Sequence, residues 1–359
     1  MNINHVHFED ASARRQFLLS LLSDKELRRI VNGTPEINFL FRETGEKKFK
    51  VGNLVRHNKK SKGKRRIIGC PNKVSRRLHH AFRRLLRISL LWMRGAESRQ
   101  LLILRSATAF KTGTNPTRNA HSHVGGNFFY ILDVKDAYRS VDLTKLSALL
   151  VYIFENFKYG LEFSLRQLAK DAKRIEELIQ DDLFPLILSF LSKYVAGTFG
   201  EGLAVGGVLS PLLFNLYMDV FLDSGLRALC EKYKVTYTRF ADDLVFSREK
   251  PIFPDLRKKI RKEFEVAGAR VNHNKSYVLS RGMGSVFVTK VGISRDIDNH
   301  SRGNLLFPQR KRRQLHGIIQ TYIRRREGNP DVISGLVAEF INHYRNTRVS
   351  KGDEKTYIL

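Results

Sequence analysis

Cysteine is nearly missing from this chain: only Cys70 and Cys230 occur among 359 residues. Two thiols cannot build a disulfide framework or a four-cysteine zinc site, and a reducing cytoplasm is the expected compartment. Long apolar runs are missing as well. None approaches the roughly 20 residues that a membrane span needs, and the longest, around Phe184 to Leu191, is interrupted by Pro185. No membrane partner is expected, and the opening MNINHVHFED has no basic-then-apolar signal pattern. The chain also lacks internal repeats and Gly/Ser-rich or Pro-rich linkers, which predicts subdomains interleaved in one body. Acidic residues are scarce: 35 Asp and Glu stand against 64 Lys and Arg, a formal net charge of +29.

That excess of positive charge favours a polyanionic partner, above all nucleic acid, over a small neutral substrate. An acidic membrane surface is the alternative, weakened by the missing apolar span. The hydrophobic content of 42% excludes a mainly disordered chain, and the length suffices for two or three subdomains.

The local patterns come in a definite order. FKVGNLVRHN, a Lys/Gly tip and RRIIGCPN read as a basic hairpin. A helix is expected after Pro71, with Val74, Leu78, Phe82, Leu85 and Leu86 inward. YILDV, residues 130–134, reads as a strand. A helix should open at Ser210 as N-cap with Pro211 at its first position. VTYTRF and LVFS form a hairpin, and a helix follows from Pro254 with Leu256, Ile260 and Phe264 every fourth residue and Gly268 past its end. SYVLS closes the series as a strand. This is the order of a ferredoxin-like α+β sheet. Two more amphipathic helices are expected after Arg310, the first basic and the second starting at Asp331 with Leu336, Val337, Phe340 and Ile341 inward.

The carboxylates stand out in this order. YTRFADDLVFS places Asp242 and Asp243 side by side at a hairpin tip, where adjacent negative charges need a cation or full solvation. A lone Asp-Asp turn is ordinarily a solvated one. Asp133, however, ends a strand of large apolar residues, where a charge is costly unless paired or metal-bound. Carboxylates at neighbouring strand ends can bind two Mg²⁺ ions roughly 3.5 to 4 Å apart, the arrangement used for nucleotidyl transfer.

At these residues the chain becomes recognisable. LDVKDAYRSV resembles the first catalytic motif of reverse transcriptases, and FADD resembles their YxDD box. VGGVLSPLLFN is similar to QGxxxSPxLFN, with Val205 in the Gln position. GARVNHNKSYVLS and KGKRRIIGCP resemble the family's GLxLNxxKTxxxS and KxGxxRxIxxP segments. The five matches run in order over roughly Lys62 to Gly292. The resemblance implies an α+β right-hand polymerase fold with fingers, a ferredoxin-like palm and a helical thumb. It implies an N-terminal helical segment over 1–45, fingers over 46–128, a palm over 129–295 with a finger insertion at about 145–200, and a thumb over 296–359.

Carried residue by residue, the resemblance implies catalysis by Asp133, Asp242 and Asp243, with two Mg²⁺ ions held by these and the Val134 carbonyl. Asp136 and Ala137 would lie under the nucleotide, with Gly206 allowing close backbone approach. Tyr138 matches the steric gate, whose ring excludes a 2′-hydroxyl and selects dNTPs. Arg66 and Lys64 would clamp the triphosphate, and Lys275 would act near the leaving pyrophosphate as charge donor or general acid. As surface charges Arg66 and Lys64, and as a core aromatic Tyr138, each also has an ordinary explanation.

NAHSH, with Asn119, Ala120 and His123, matches the NAxxH signature of retron reverse transcriptases, whereas Lys290-Val291-Gly292 stands where their VTG motif is expected. The basic KRRQLHGIIQTYIRRR resembles the retron thumb. The retron type implies RNA contacts by Asn119, His123, Lys311, Arg312 and Arg313, a structured non-coding RNA template, its single-stranded DNA product, and anti-phage defence with a separate effector protein. The chain is short for the maturase and endonuclease extensions of a mobile group II intron protein. A different defence-associated reverse transcriptase, a non-catalytic RNA-binding scaffold and an RNA-dependent RNA polymerase are the competing readings.

Overall fold

The computed structural model describes chiefly residues 55–61, 64–71, 105–111, 114–159, 172–181, 183–197, 201–294, 305–306 and 309–325, with scattered helical positions between 76 and 90 and between 334 and 338. These residues fall into two compact units. One is drawn from Met1–Arg105, Asp136–Ser224 and Ala267–Ala269, the other from Ser106–Lys135, Gly225–Val266 and Arg270–Leu359.

In the first unit β1 (Val55–Ser61) and β2 (Lys64–Cys70) pair antiparallel, the expected basic hairpin. Its helices include α2 (Leu143–Tyr159), α3 (Ala172–Ile179), α4 (Leu183–Phe190) and α5 (Ser210–Met218), of which α4 and α5 each run on into a wider π turn. Asp142 caps α2, its Oδ1 accepting the backbone N–H of Thr144 at 2.8 Å and of Lys145 at 3.2 Å, which satisfies donors the helix start would otherwise orphan. The helices meet over aromatic rings: Phe82 stacks on Phe190 and meets Phe154 edge-on. Phe82 and Leu86 are buried as the spacing predicts; Val74, Leu78 and Leu85 lie outside the described residues.

The Ser210 cap needs correction. Helix α5 begins at Ser210 with Leu209 as its cap residue, and no side chain caps it. Ser210 is fully buried, its Oγ lies without a hydrogen-bond partner, and it is packed so closely that a Cβ on Gly207 would stand 2.5 Å away. A serine caps only when it can swing back to the helix N–H groups, and this packing turns it elsewhere.

The second unit is built on a four-stranded antiparallel sheet. Its members are β3 (Phe128–Asp133), β4 (Thr236–Phe240), β5 (Asp243–Arg248) and β6 (Tyr277–Ser280), in the order β4-β5-β3-β6. That order, reached through helices α6 (Ser224–Tyr233) and α7 (Pro254–Val266), is the ferredoxin-like one. Strands β3 and β5 are central and almost wholly buried, with the apolar runs Phe128–Leu132 and Leu244–Phe246 within them. Alternation then splits β3: Phe129 and Ile131 join Val245 and Leu279 on one face, while Tyr130 rests by Phe246, itself stacked on Tyr237, on the other. The first face is covered by α1 (Pro116–His121) and by a small sheet of β7 (Val286–Val288), β8 (Val291–Ile293) and β9 (Leu305–Leu306). Leu256, Ile260 and Phe264 of α7 are buried, and Gly268 takes φ +70° just past its end, the left-handed stop expected of it.

The basic helix α8 spans Gln309–Arg325. The helix expected from Asp331 lies outside the described residues except for three positions. Among the described residues, no helix is long and apolar enough to cross a membrane.

Candidate active site

The β3–β5 ladder runs from Phe128 opposite Arg248 to Asp133 opposite Asp243, so two of the three singled-out aspartates are direct cross-strand partners. The third, Asp242, sits in the two-residue tip of the β4–β5 hairpin beside Ala241, and its carbonyl accepts the Val134 N–H at 2.9 Å. One backbone bond thus ties the end of β3 to the tip. Ala241 has φ +57°, a left-handed conformation that costs a residue with a Cβ about 1–2 kcal/mol. Arg239, fully buried, braces that tip by donating from Nη1 to the Ala241 carbonyl at 3.2 Å.

Asp133 is buried and both its oxygens are engaged. Asn272 Nδ2 donates to Oδ1 and Lys275 Nζ donates to Oδ2, each at 2.8 Å. The bond to Asp133 holds the Lys275 ammonium above its ordinary range. Asp243 is different: burial first, then the charges of Asp242 and Asp133, push its carboxyl up to about 6, against the opposing pull of Lys275 and Lys290. The site therefore carries more buried negative charge than its own lysines offset. Among the described residues, no three carboxylate, imidazole or thiol groups already converge as a metal cluster. The donor types present, all carboxylate and carbonyl oxygen, are those a hard divalent cation takes, and the charge excess suits one.

In the other unit, Asp136 (φ +51°) and Ala137 open a tight turn in which Ser140 N–H donates to the Asp136 carbonyl at 2.9 Å. The half-buried Tyr138 ring stacks on Phe214 of α5, centroids 4.8 Å apart and planes at 20°. Gly206 is exposed at φ +100°, next to the exposed Val205. Lys64 and Arg66 lie on β2, opposite Ser61 and Lys59. Lys311, Arg312 and Arg313 lie in the first turns of α8, where Arg313 is exposed.

Direct RNA contact by Asn119 and His123 is not what the structure gives. Both are fully buried. Asn119 accepts from Thr108 Oγ1 at 2.9 Å and donates to Thr289 Oγ1 at 3.4 Å, linking the segment beside β4 to the β7–β8 turn. His123 has Nδ1 2.7 Å from Ser247 Oγ and Nε2 2.7 Å from Thr238 Oγ1, bridging β5 and β4, and burial holds its pKa down to about 3. The ring is a neutral spacer beneath the sheet. The RNA contacts expected of both side chains came from the retron resemblance, whereas Thr289, Ser247 and Thr238, which engage them here, lie more than a hundred residues downstream. Sequence reasoning also passed over Asn272, although it lies inside the quoted GARVNHNKS segment.

The family model described as reverse transcriptase (RNA-dependent DNA polymerase) matches residues 57–302, most of the chain. The chain belongs to the reverse-transcriptase family. Among curated relatives, this family member is 28% identical over 227 residues to the retron Mx65 reverse transcriptase of Myxococcus xanthus, covering 61% of this chain and 50% of that protein. It is 25% identical over 214 residues to the retron Ec73 reverse transcriptase of Escherichia coli, covering 57% and 60%. The chain thus spans about half the length of the curated relatives it matches, and the resemblance to retron enzymes read from the motifs agrees with them. Among solved structures, apo telomerase from Candida tropicalis superposes with a TM-score of 0.46 at 16% identity, over 72% of this chain and 50% of that one. The expected α+β right-hand polymerase class agrees with the family and with the mixed architecture.

Proposed function

We propose that the chain is an RNA-directed DNA polymerase of retron type, which copies a structured non-coding RNA into single-stranded DNA. The observation that carries this reading is the facing of Asp133 and Asp243 across β3 and β5, with Asp242 at the adjoining tip, in a member of the reverse-transcriptase family. Asp133, Asp242 and Asp243, with the Val134 carbonyl, would hold two Mg²⁺ ions. Such ions supply activation of a hydroxyl nucleophile and neutralise charge on the transferring and leaving phosphates.

The chain's other side chains divide the rest of the work. Arg66 and Lys64 bind triphosphate oxygens, Asp136, Ala137 and Gly206 line the nucleotide, and Tyr138 excludes the 2′-hydroxyl so that dNTPs are selected. Lys275, an exposed ammonium tethered to Asp133, donates charge or a proton to the departing pyrophosphate. Lys311, Arg312 and Arg313 on α8 meet phosphates of the RNA-containing duplex, contacts that read shape more than sequence. The fingers, palm and thumb occupy about 46–128, 129–295 and 296–359. In the cytoplasm the DNA product serves anti-phage defence with a separate effector protein.

The test is to purify the protein from its native operon and sequence what co-purifies. A covalent RNA-DNA hybrid supports the retron reading. RNA alone, with no dNTP incorporation on a primed RNA template in Mg²⁺, refutes the polymerase. Asp242→Asn should abolish synthesis and leave RNA binding nearly intact. Val205 and Lys290-Val291-Gly292, which depart from the retron pattern, favour a second reading, a defence-associated reverse transcriptase with a different template. A co-purified DNA without an RNA branch would select it.

A further inference from the structure

The segment on either side of residues 198–200 touches the backbone of Tyr138. Ala196 and Leu203 form an antiparallel bridge, Ala204 N–H donates to the Val195 carbonyl at 2.9 Å, and Gly197 N–H donates to the Gly202 carbonyl at 3.2 Å. From this paired stem, Leu203 N–H donates to the Tyr138 carbonyl at 2.7 Å. Glu201 Oε2 takes the Arg139 guanidinium at 2.8 Å. Between them Gly202 adopts φ +52°, and a Cβ there would collide with the carbonyl oxygens of both Tyr138 and Arg139. Only glycine allows so close an approach. On its side-chain end the same tyrosine lies against Phe214, which is fully buried on α5 and cannot yield. Tyr138 is therefore gripped at its carbonyl by one element and at its ring by another.

We propose that the paired segments Val195–Gly197 and Glu201–Ala204, together with Phe214, are positioning elements that set how strictly Tyr138 discriminates between deoxyribonucleotides and ribonucleotides. This rests on the reading of Tyr138 as the sugar gate. A steric filter rejects one added oxygen only while its ring stays within a fraction of an ångström of its place, because side-chain libration of about 1 Å would open enough room for the hydroxyl. The bonds within the Asp136–Ser140 turn, from Ser140 to the Asp136 and Ala137 carbonyls, do not give the Tyr138 ring that rigidity. The glycine-enabled clamp on the main chain and the flat aromatic floor under the ring supply it. Gly202 and Phe214 touch neither sugar nor metal ligand in this role; they act through Tyr138.

The experiment compares kcat/KM for dNTP and matching rNTP on a primed RNA template, using the full chain and the variants Gly202→Ala, Phe214→Leu, Glu201→Gln and Tyr138→Ala, each checked for folding by thermal melting. Gly202→Ala and Phe214→Leu should lower the dNTP-over-rNTP preference by about tenfold or more. The change should come mainly through a lower KM for the rNTP, an effect that general loss of structure does not produce. If Gly202→Ala fails to fold, Phe214→Leu and the milder Glu201→Gln carry the test. A relaxed preference in Tyr138→Ala with unchanged preference in the folded positioning variants overturns this proposal and leaves the gate standing. An unchanged preference in Tyr138→Ala overturns the gate itself, and the proposal with it.

Discussion

Asn272 meets Asp133 twice: its backbone N–H donates to the Asp133 carbonyl at 2.8 Å, and its side-chain amide donates to Oδ1, also at 2.8 Å. One residue therefore fixes both the height of the strand end and the rotation of the carboxylate. Asn272→Ala keeps the backbone bond and frees the rotation. The expected result is a roughly 10- to 100-fold loss in apparent Mg²⁺ affinity or incorporation rate, with RNA affinity preserved. Mg²⁺ titration of dNTP incorporation, beside a filter-binding assay with RNA, checks it. Equal losses in both would mean that Asn272 supports the fold and not the site.

Lys275 takes the other Asp133 oxygen. Lys275→Gln preserves reach and removes the cation. Incorporation should slow by about 100-fold or more in the chemical step, the size usual for losing a positioned acid, with a smaller change in dNTP KM. Single-turnover kinetics measures the step. An unchanged rate would confine Lys275 to a structural ion pair.

The left-handed Ala241 makes a further prediction about the tip. A β-branched side chain is more strongly disfavoured at positive φ, so Ala241→Val should cost about 2 kcal/mol in urea unfolding and displace Asp242. Ala241→Gly tolerates the angle and should leave stability within about 1 kcal/mol of the parent. If valine is accepted without loss, the backbone there is less constrained than its dihedral indicates.

His123 gives the acid branch of the stability curve. Its folded pKa is lowered to about 3 from the ordinary 6.5. The unfolded chain therefore binds a proton below pH 6.5 that the folded chain refuses. Stability falls as pH drops from 6.5 toward 3, by up to about 1.4 kcal/mol per unit for this one group. His79, also lowered by burial, adds in the same direction. His123→Gln should flatten the slope between pH 6.5 and 4.5 while reducing stability at pH 7, because Ser247 and Thr238 lose a partner of fitted geometry. Urea denaturation across that range decides. RNA affinity per folded molecule should not change, which separates this buried role from direct RNA contact.

What was legible in the sequence follows the range of the forces involved. The alternation through YILD, the fourth-residue repeat of Leu256, Ile260 and Phe264, and the Gly268 stop are local, and the structure keeps them. The juxtaposition of Asp133 with Asp243 was legible through the order of strands, since a ferredoxin-like sheet puts those strands side by side. The burial of Asn119 and His123 was not legible because their partners Thr238 and Ser247, on later strands, and Thr289, in the β7–β8 turn, leave no local periodic signal. Ser210 was misread as a cap because cap preference describes an accessible helix end, and this end is buried. Gly202 drew no notice for a similar reason: what makes it indispensable is the carbonyl of a residue some sixty positions earlier.

The sheet order has a further bearing on how the protein comes into being. Strand β3 is flanked by β5 and β6, both synthesised much later, and Asp133 is separated from its partner Asp243 by 110 positions. During translation, the apolar stretch Phe128–Leu132 therefore leaves the ribosome with both of its edges open and must wait for the hairpin before it can close. Nascent chains stalled before residue 243 present that strand to any holdase or to one another. The arrangement that pairs Asp133 with Asp243 in the finished sheet also leaves strand β3 dependent on protection before the chain is complete.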